Sequence, residues 1–252
     1  EVLDIKPFEL KKTDSQKAIA NTVDSAIKYV KNEKKSAALL IRKGLFERTN
    51  VKNINVNNYQ LSRNDALKMI CDSIDSNSVV VTGTGMISRE WYNIFSSYDH
   101  NNCLMNVGAM GHTSSLTLGL RLSKYQMPIY CIEGDGSLLM HLGCLPYITK
   151  YNKKKFVHII LNNGVHDTVG GQKTAAFDIE LCKMADAFNY DYIYCVTKSN
   201  ELSNILNEIK KLDGNIFLEI RINNKKQIGI NRPNYNFSYK SKAISKYMNQ
   251  EV

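Results

Sequence analysis

Ile129-Tyr-Cys-Ile-Glu-Gly134-Asp135-Gly136-Ser137 and Phe156-Val-His-Ile-Ile-Leu161-Asn162-Asn163 are two apolar runs, each ending on small or polar residues. Between Gly136 and Asn162 lie 25 residues, Ser137 to Leu161. That length holds a helix near 137–149, a loop and a strand over 156–161, which is a βαβ crossover. Strands joined in this way are parallel, so the Gly-Asp-Gly turn and the Asn pair open on the same crevice. Near-continuous apolar runs are what strands buried on both faces require.

The same alternation extends in both directions. Upstream, Ser62 and Asp65 start a helix that runs to about 75. Ser78-Val-Val-Val-Thr82 then reads as a strand ending in a Gly-rich turn, followed by helical segments near 88–97 and 113–124 and a strand over 128–133. Downstream, helices near 178–188 and 200–212 alternate with strands over 191–196 and 215–220. The expected architecture is α/β, a doubly wound, mostly parallel sheet with helices on both faces. Before it, apolar positions Ile19, Val23, Ala26, Ile27 and Val30 are spaced for a helix over 14–32, and Ser36-Ala-Ala-Leu-Leu-Ile41 reads as a buried strand. The expected domains are 1–46, an Asn-rich linker over 47–60, a main domain over 61–222 and a polar surface extension over 223–252.

Composition narrows the function class. Of 33 basic residues only 7 are Arg, against a net charge of +9. The Lys are scattered and base reading leans on Arg, so no nucleic-acid role is expected. The positive field suits a small polyanionic ligand. No apolar run nears the roughly 18 residues of a membrane span. Six Cys without paired spacing read as free thiols in a reducing, cytoplasmic setting. Five His show no HxH or HExxH spacing.

A carboxylate and an amide oxygen brought together at strand ends suit Mg²⁺, a hard ion that takes oxygen ligands and leaves positions for phosphate. Glycines at such a turn let the backbone approach a diphosphate, and the following helix start offers N–H groups. Gly-Asp-Gly alone would be an ordinary turn; its spacing to the Asn pair is the stronger signal.

With this signature the sequence resembles the thiamine-diphosphate-dependent decarboxylases, and among them the phosphonopyruvate-decarboxylating branch. Three stretches carry that resemblance: Val81-Thr-Gly-Thr-Gly-Met-Ile-Ser-Arg-Glu90, Val107-Gly-Ala-Met-Gly-His-Thr-Ser-Ser115 and Asn162-Asn-Gly-Val-His-Asp-Thr-Val-Gly-Gly-Gln-Lys-Thr174. The resemblance spans about residues 36–221 and departs at Ala109 and Lys173, where Ser and Pro are usual. It implies that Asp135, Asn163 and the Val165 carbonyl bind Mg²⁺, with Asn162 beside them as the alternative ligand. It implies diphosphate contacts from Thr82, Gly83, Thr84, Gly134, Gly136 and Ser137. Met110 would wedge between the cofactor rings and the Gly108 carbonyl would accept from the 4′-amino group. His112, His166, Gln172 and, less favoured, Arg89 are the groups expected to meet the substrate phosphonate.

The implied activity is conversion of phosphonopyruvate, a 2-oxo acid, to phosphonoacetaldehyde and CO₂ in phosphonate biosynthesis. Residues 1–46 resemble only the last helix and strand of a pyrimidine-binding domain. The Glu that such a domain donates is expected upstream or on a partner, since Glu33 and Glu47 are poorly placed for it. At least a homodimer is expected of the complete enzyme. Alternatives are sulfopyruvate decarboxylation, an acetolactate-synthase-type carboligase, or a non-catalytic cofactor-binding subunit.

Overall fold

The computed structural model describes residues 4–46, 57–95, 102–123, 126–225, 229–230, 233 and 236–249. The chain forms two compact units, Glu1–Lys52 and Asn53–Val252.

In the first unit, β1 (Lys6–Leu10), α1 (Gln16–Glu33) and β2 (Ala37–Ile41) form a β–α–β unit with parallel strands. The Ser15 hydroxyl caps α1 by accepting from the Ala18 N–H. β1 was not legible, because Lys6-Pro-Phe-Glu-Leu10 lacks an apolar run. The expectation of a buried strand at 36–41 is corrected here. Leu39, Leu40 and Ile41 are 39%, 46% and 48% exposed, and α1 contains no buried residue. An apolar run states what a strand can bury; a covering layer must be present for it to do so.

The second unit begins with α2 (Arg63–Ser73), whose Ser62 cap accepts from the Asp65 N–H as the sequence predicts. Then follow β3 (Val79–Thr82), α3 (Met86–Phe95), β4 (Cys103–Met105), α4 (Thr113–Leu122) and β5 (Ile129–Gly134). The helix expected over 137–149 is broken into α5 (Asp135–Met140), a 3₁₀ turn at Leu142–Cys144 and α6 (Leu145–Tyr151). Gly143 and Pro146 account for the break, since both disfavour a helix interior. β6 (Phe156–Asn162) leads into a small hairpin of β7 (Val165–His166) and β8 (Gln172–Lys173), in a segment read from sequence as a loop. The unit continues with α7 (Leu181–Ala187), β9 (Tyr192–Val196), α8 (Ser199–Ile209), β10 (Asn215–Arg221) and α9 (Phe237–Asn249).

Six strands form one parallel sheet in the order β4-β3-β5-β6-β10-β9. Strand alternation divides the core in two. Val80, Tyr130, Ile132, Val157, Ile159, Ile216 and Leu218 face α2, α3 and α8. Val79, Val81, Ile129, Cys131, Phe156, Ile160 and Phe217 face the other set of helices, including α4, α6 and α7. This is the doubly wound α/β fold expected. The tail expected as a surface extension instead carries α9, whose Ile244 is 4% exposed and joins the second core face. Its helical period was hidden among intervening Lys and Ser residues.

Candidate functional site

Strand register builds the site. Gly134 on β5 lies opposite Leu161 on β6, so Asp135 and Asn162 leave the sheet at one level. Thr82 on β3 lies opposite Ile132, which sets Gly83 and Thr84 beside that turn. The chain runs from β3 outward to β4 and back across to β5. This reversal point in strand order is where open α/β sheets bind ligands.

A cleft opens there, with about 570 Å³ not filled by protein atoms and in part open to solvent. Thr84, Met110, Gly134, Asp135, Gly136, Ser137, Asn163, Val165 and His166 all line it. Residues from the turns after β3, β4, β5 and β6 thus meet at one place.

Asp135 is 2% exposed, and its carboxylate accepts from the Thr174 hydroxyl. Burial raises its pKa above the ordinary carboxylate value, opposed by that hydroxyl and by the main-chain N–H groups of Asp135, Asn163 and Gly136. The Asn163 amide oxygen accepts from the Val165 N–H at 3.1 Å, which orients it and leaves a second lone pair. Two glycines fit this geometry alone. A Cβ on Gly136 would sit 2.5 Å from the His166 ring. One on Gly164, at φ +72°, would meet the Phe177 ring at 2.3 Å.

Other residues named from sequence lie elsewhere. Thr82 is buried, with its hydroxyl 2.8 Å from the Ser88 hydroxyl. Gly83 packs against Glu133, where an added Cβ would be 3.1 Å away. Asn162 is fully buried; its amide donates to Glu219 at 2.8 Å, and its oxygen accepts from the Gly164 N–H. Gly108 is exposed with open space around it. His112 is exposed and lies on His141 with ring centroids 4.0 Å apart. Gln172 is exposed on the hairpin, Arg89 is half-buried, and neither lines the cleft. Ser137 does line it, but its hydroxyl already donates to Glu133 at 2.6 Å and accepts from the Gly111 N–H at 3.1 Å.

Two networks were missed. Arg63, 8% exposed, lines the cleft and bonds Glu90 through Nε at 2.9 Å and Nη2 at 2.8 Å, and Asp167 through Nη1 at 2.8 Å. Burial works against its charge, but those bonds outweigh it and raise its pKa. Beneath the cleft, Glu133 accepts Ser137 on one oxygen and lies 2.9 Å from His158 Nε2 on the other; His158 Nδ1 is 2.9 Å from the Tyr190 hydroxyl. The available signal was polar: Glu133 and His158 each interrupt an apolar run.

Comparison with known proteins matches residues 83–220 to the family described as "Thiamine pyrophosphate enzyme, C-terminal TPP binding domain". Phosphonopyruvate decarboxylase of Streptomyces viridochromogenes is 33% identical over 168 residues, covering 67% of this chain and 41% of that protein. Sulfopyruvate decarboxylase subunit beta of Methanocaldococcus jannaschii is 32% identical over 154 residues, covering 59% of this chain and 79% of that subunit. An X-ray structure from Mycobacterium smegmatis, described as a candidate thiamin diphosphate-dependent enzyme, shares the fold at TM-score 0.55 and 14% identity, over 75% of this chain and 40% of that one. No helix among the described residues is long and apolar enough to cross a membrane. With its family match spanning the strands and turns that build the cleft, this chain belongs to the thiamine pyrophosphate enzymes, in the family of thiamine-diphosphate-dependent decarboxylases.

Proposed function

We propose that this chain supplies the diphosphate- and Mg²⁺-binding part of a cytoplasmic 2-oxo acid decarboxylase acting on phosphonopyruvate. The observation that carries the reading is the meeting, in one cleft, of a buried carboxylate with residues from four strand-end turns. Asp135 fits a divalent cation. It is buried, it is in no ion pair among the described residues, and its pKa is raised by that burial. A hard cation beside it would favour the carboxylate form, and the Asn163 amide oxygen and Val165 carbonyl would add oxygen donors.

Bound there, thiamine diphosphate supplies the electron sink for loss of CO₂. The chain's own residues bind and orient. Thr84 and the Gly134–Ser137 turn would hold the diphosphate, and Met110, 36% exposed at the cleft, would support the cofactor rings. Arg63 is spent on Glu90 and Asp167, so it offers no free cation to the substrate. His166 is then the cleft residue best able to donate to a second acid group, with His112 and Gln172 as outer candidates. Residues 61–222 form this domain, 223–252 extend it and 1–46 end a pyrimidine-binding domain; most of the linker expected over 47–60 lies outside the described residues. The activating Glu comes from such a domain or from a partner subunit, in at least a dimer.

Sulfopyruvate is a second reading, favoured by the beta-subunit relative at nearly equal identity. The first test is calorimetry of thiamine diphosphate with Mg²⁺. Asp135→Ala should abolish the Mg²⁺-dependent binding; unchanged affinity would sink the site. The second combines the chain with a Glu-bearing domain or subunit. kcat/KM should be highest for phosphonopyruvate, lower for sulfopyruvate and lowest for pyruvate, and equal values for all three would remove the substrate assignment. Without that complement, no decarboxylation is expected. Loss of one positioned proton-transfer group costs about 10²–10⁴ in rate.

A further inference from the structure

Away from the cleft, on the edge strand of the sheet, two thiols and a carboxylate converge. The sulfurs of Cys182 on α7 and Cys195 on β9 and a carboxylate oxygen of Glu219 on β10 lie within 4.8 Å of one another. Register sets Glu219 directly opposite Cys195. Cys195 is exposed, Cys182 is half-buried and Glu219 is fully buried. We propose that Cys182, Cys195 and Glu219 form a site for one thiophilic divalent cation of the Zn²⁺ class, independent of the function proposed above.

The spacing fits. With Zn–S near 2.3 Å and Zn–O about 2.0–2.2 Å, a tetrahedron has edges of about 3.8 Å between sulfurs and about 3.5–3.7 Å from sulfur to oxygen. Cys182 Sγ lies 3.8 Å from Glu219 Oε2. The outer shell fits as well. Glu219 Oε1 accepts from Asn162 Nδ2 at 2.8 Å and Arg221 Nε at 2.9 Å, and Arg221 Nη2 lies 3.5 Å from Oε2. Ligating carboxylates are held by such partners, which fix their orientation. Charge closes too: two thiolates and a carboxylate are neutralised by a dication and the Arg221 guanidinium. A water at the exposed side of Cys195 completes four-coordination.

The remaining thiols provide a contrast. Burial pushes Cys103 up to about 12 and Cys131 well above its ordinary value, as expected of inert packing thiols. The hydrogen bond from Cys182 holds Cys195 below its ordinary value and correspondingly raises Cys182. Binding displaces the remaining thiol protons to solvent, with no change of oxidation state.

The test uses the full chain, kept reduced with a phosphine and titrated with Cd²⁺ while ultraviolet thiolate-to-metal charge transfer is followed. One Cd²⁺ per chain is expected, displaced by Zn²⁺ and not by Mg²⁺. Loss of an outer-shell partner alone costs about 10–100-fold in metal affinity, so Cys195→Ser should weaken binding by more than about 100-fold. Cys195 is exposed on an edge strand, so that variant should melt like the metal-free wild type, whereas Zn²⁺ should raise only the wild-type melting temperature. Cys144→Ser should leave the titration unchanged. The proposal falls if reduced wild type gives no band, if the band persists at full strength in Cys195→Ser, or if air forms a Cys182–Cys195 disulfide in a chain that shows no band when reduced.

Discussion

Residues 4–46 and the six-stranded unit share one local grammar, strand, helix, parallel strand, yet use it with opposite results. Every residue of β6 is buried, because helices cover both faces of the central sheet. In β2 no residue is buried. One ion pair from each unit shows the same contrast. Arg63 with Glu90 is 8% and 1% exposed, whereas Arg42 with Glu9 is 67% and 31% exposed. The difference teaches that a residue's energetic weight comes from what covers it, since desolvation scales both packing and charge effects.

The contrast is sharpest at the ion pairs. Arg63→Ala strands Glu90 and Asp167 in a buried site and should cost about 3–5 kcal/mol. Trp91, the single tryptophan and fully buried, reports this unfolding by its fluorescence in urea. Arg42→Ala removes only a solvent-screened pair and should lower stability far less, and equal losses for the two would break the comparison.

Among apolar residues, Ile160→Ala on β6 should cost about 2–5 kcal/mol. Leu40→Ala on β2, 46% exposed, should stay within about 0.5 kcal/mol. Native-state hydrogen exchange reads the two units separately. A large loss at Leu40 would mean that β2 is covered in solution.

The smallest effect concerns pH. The Arg42 hydrogen bond, opposed by slight desolvation and aided by the Arg42 and Lys11 charges, holds Glu9 below its ordinary 4.5. A carboxylate lowered in the folded state contributes stability above 4.5 and loses it as pH falls through the lowered value. Titration of the Glu9 carboxyl carbon by NMR should therefore lie below 4.5, and Arg42→Ala should move it back up.

The alternation of short apolar runs with helical spacing determined the parallel α/β class, because each period is a local property of the chain. The Gly-Asp-Gly and Asn-Asn spacing likewise marked where two strand ends would meet. β4 escaped notice at three residues, β1 because Pro7 and Glu9 interrupt it, and α9 because its apolar positions are sparse. Side-chain direction was decided only by tertiary packing. Asn162 and Asn163 are neighbours of one type, yet Asn162, the last residue of β6, turns inward to Glu219 while Asn163, just beyond the strand, lines the cleft. Nothing local to Arg63, Cys182, Cys195 or Glu219 announces a partner. Apart from Arg221, two residues from Glu219, their partners lie 13 to 104 residues away in sequence, and only the sheet order brings those within reach.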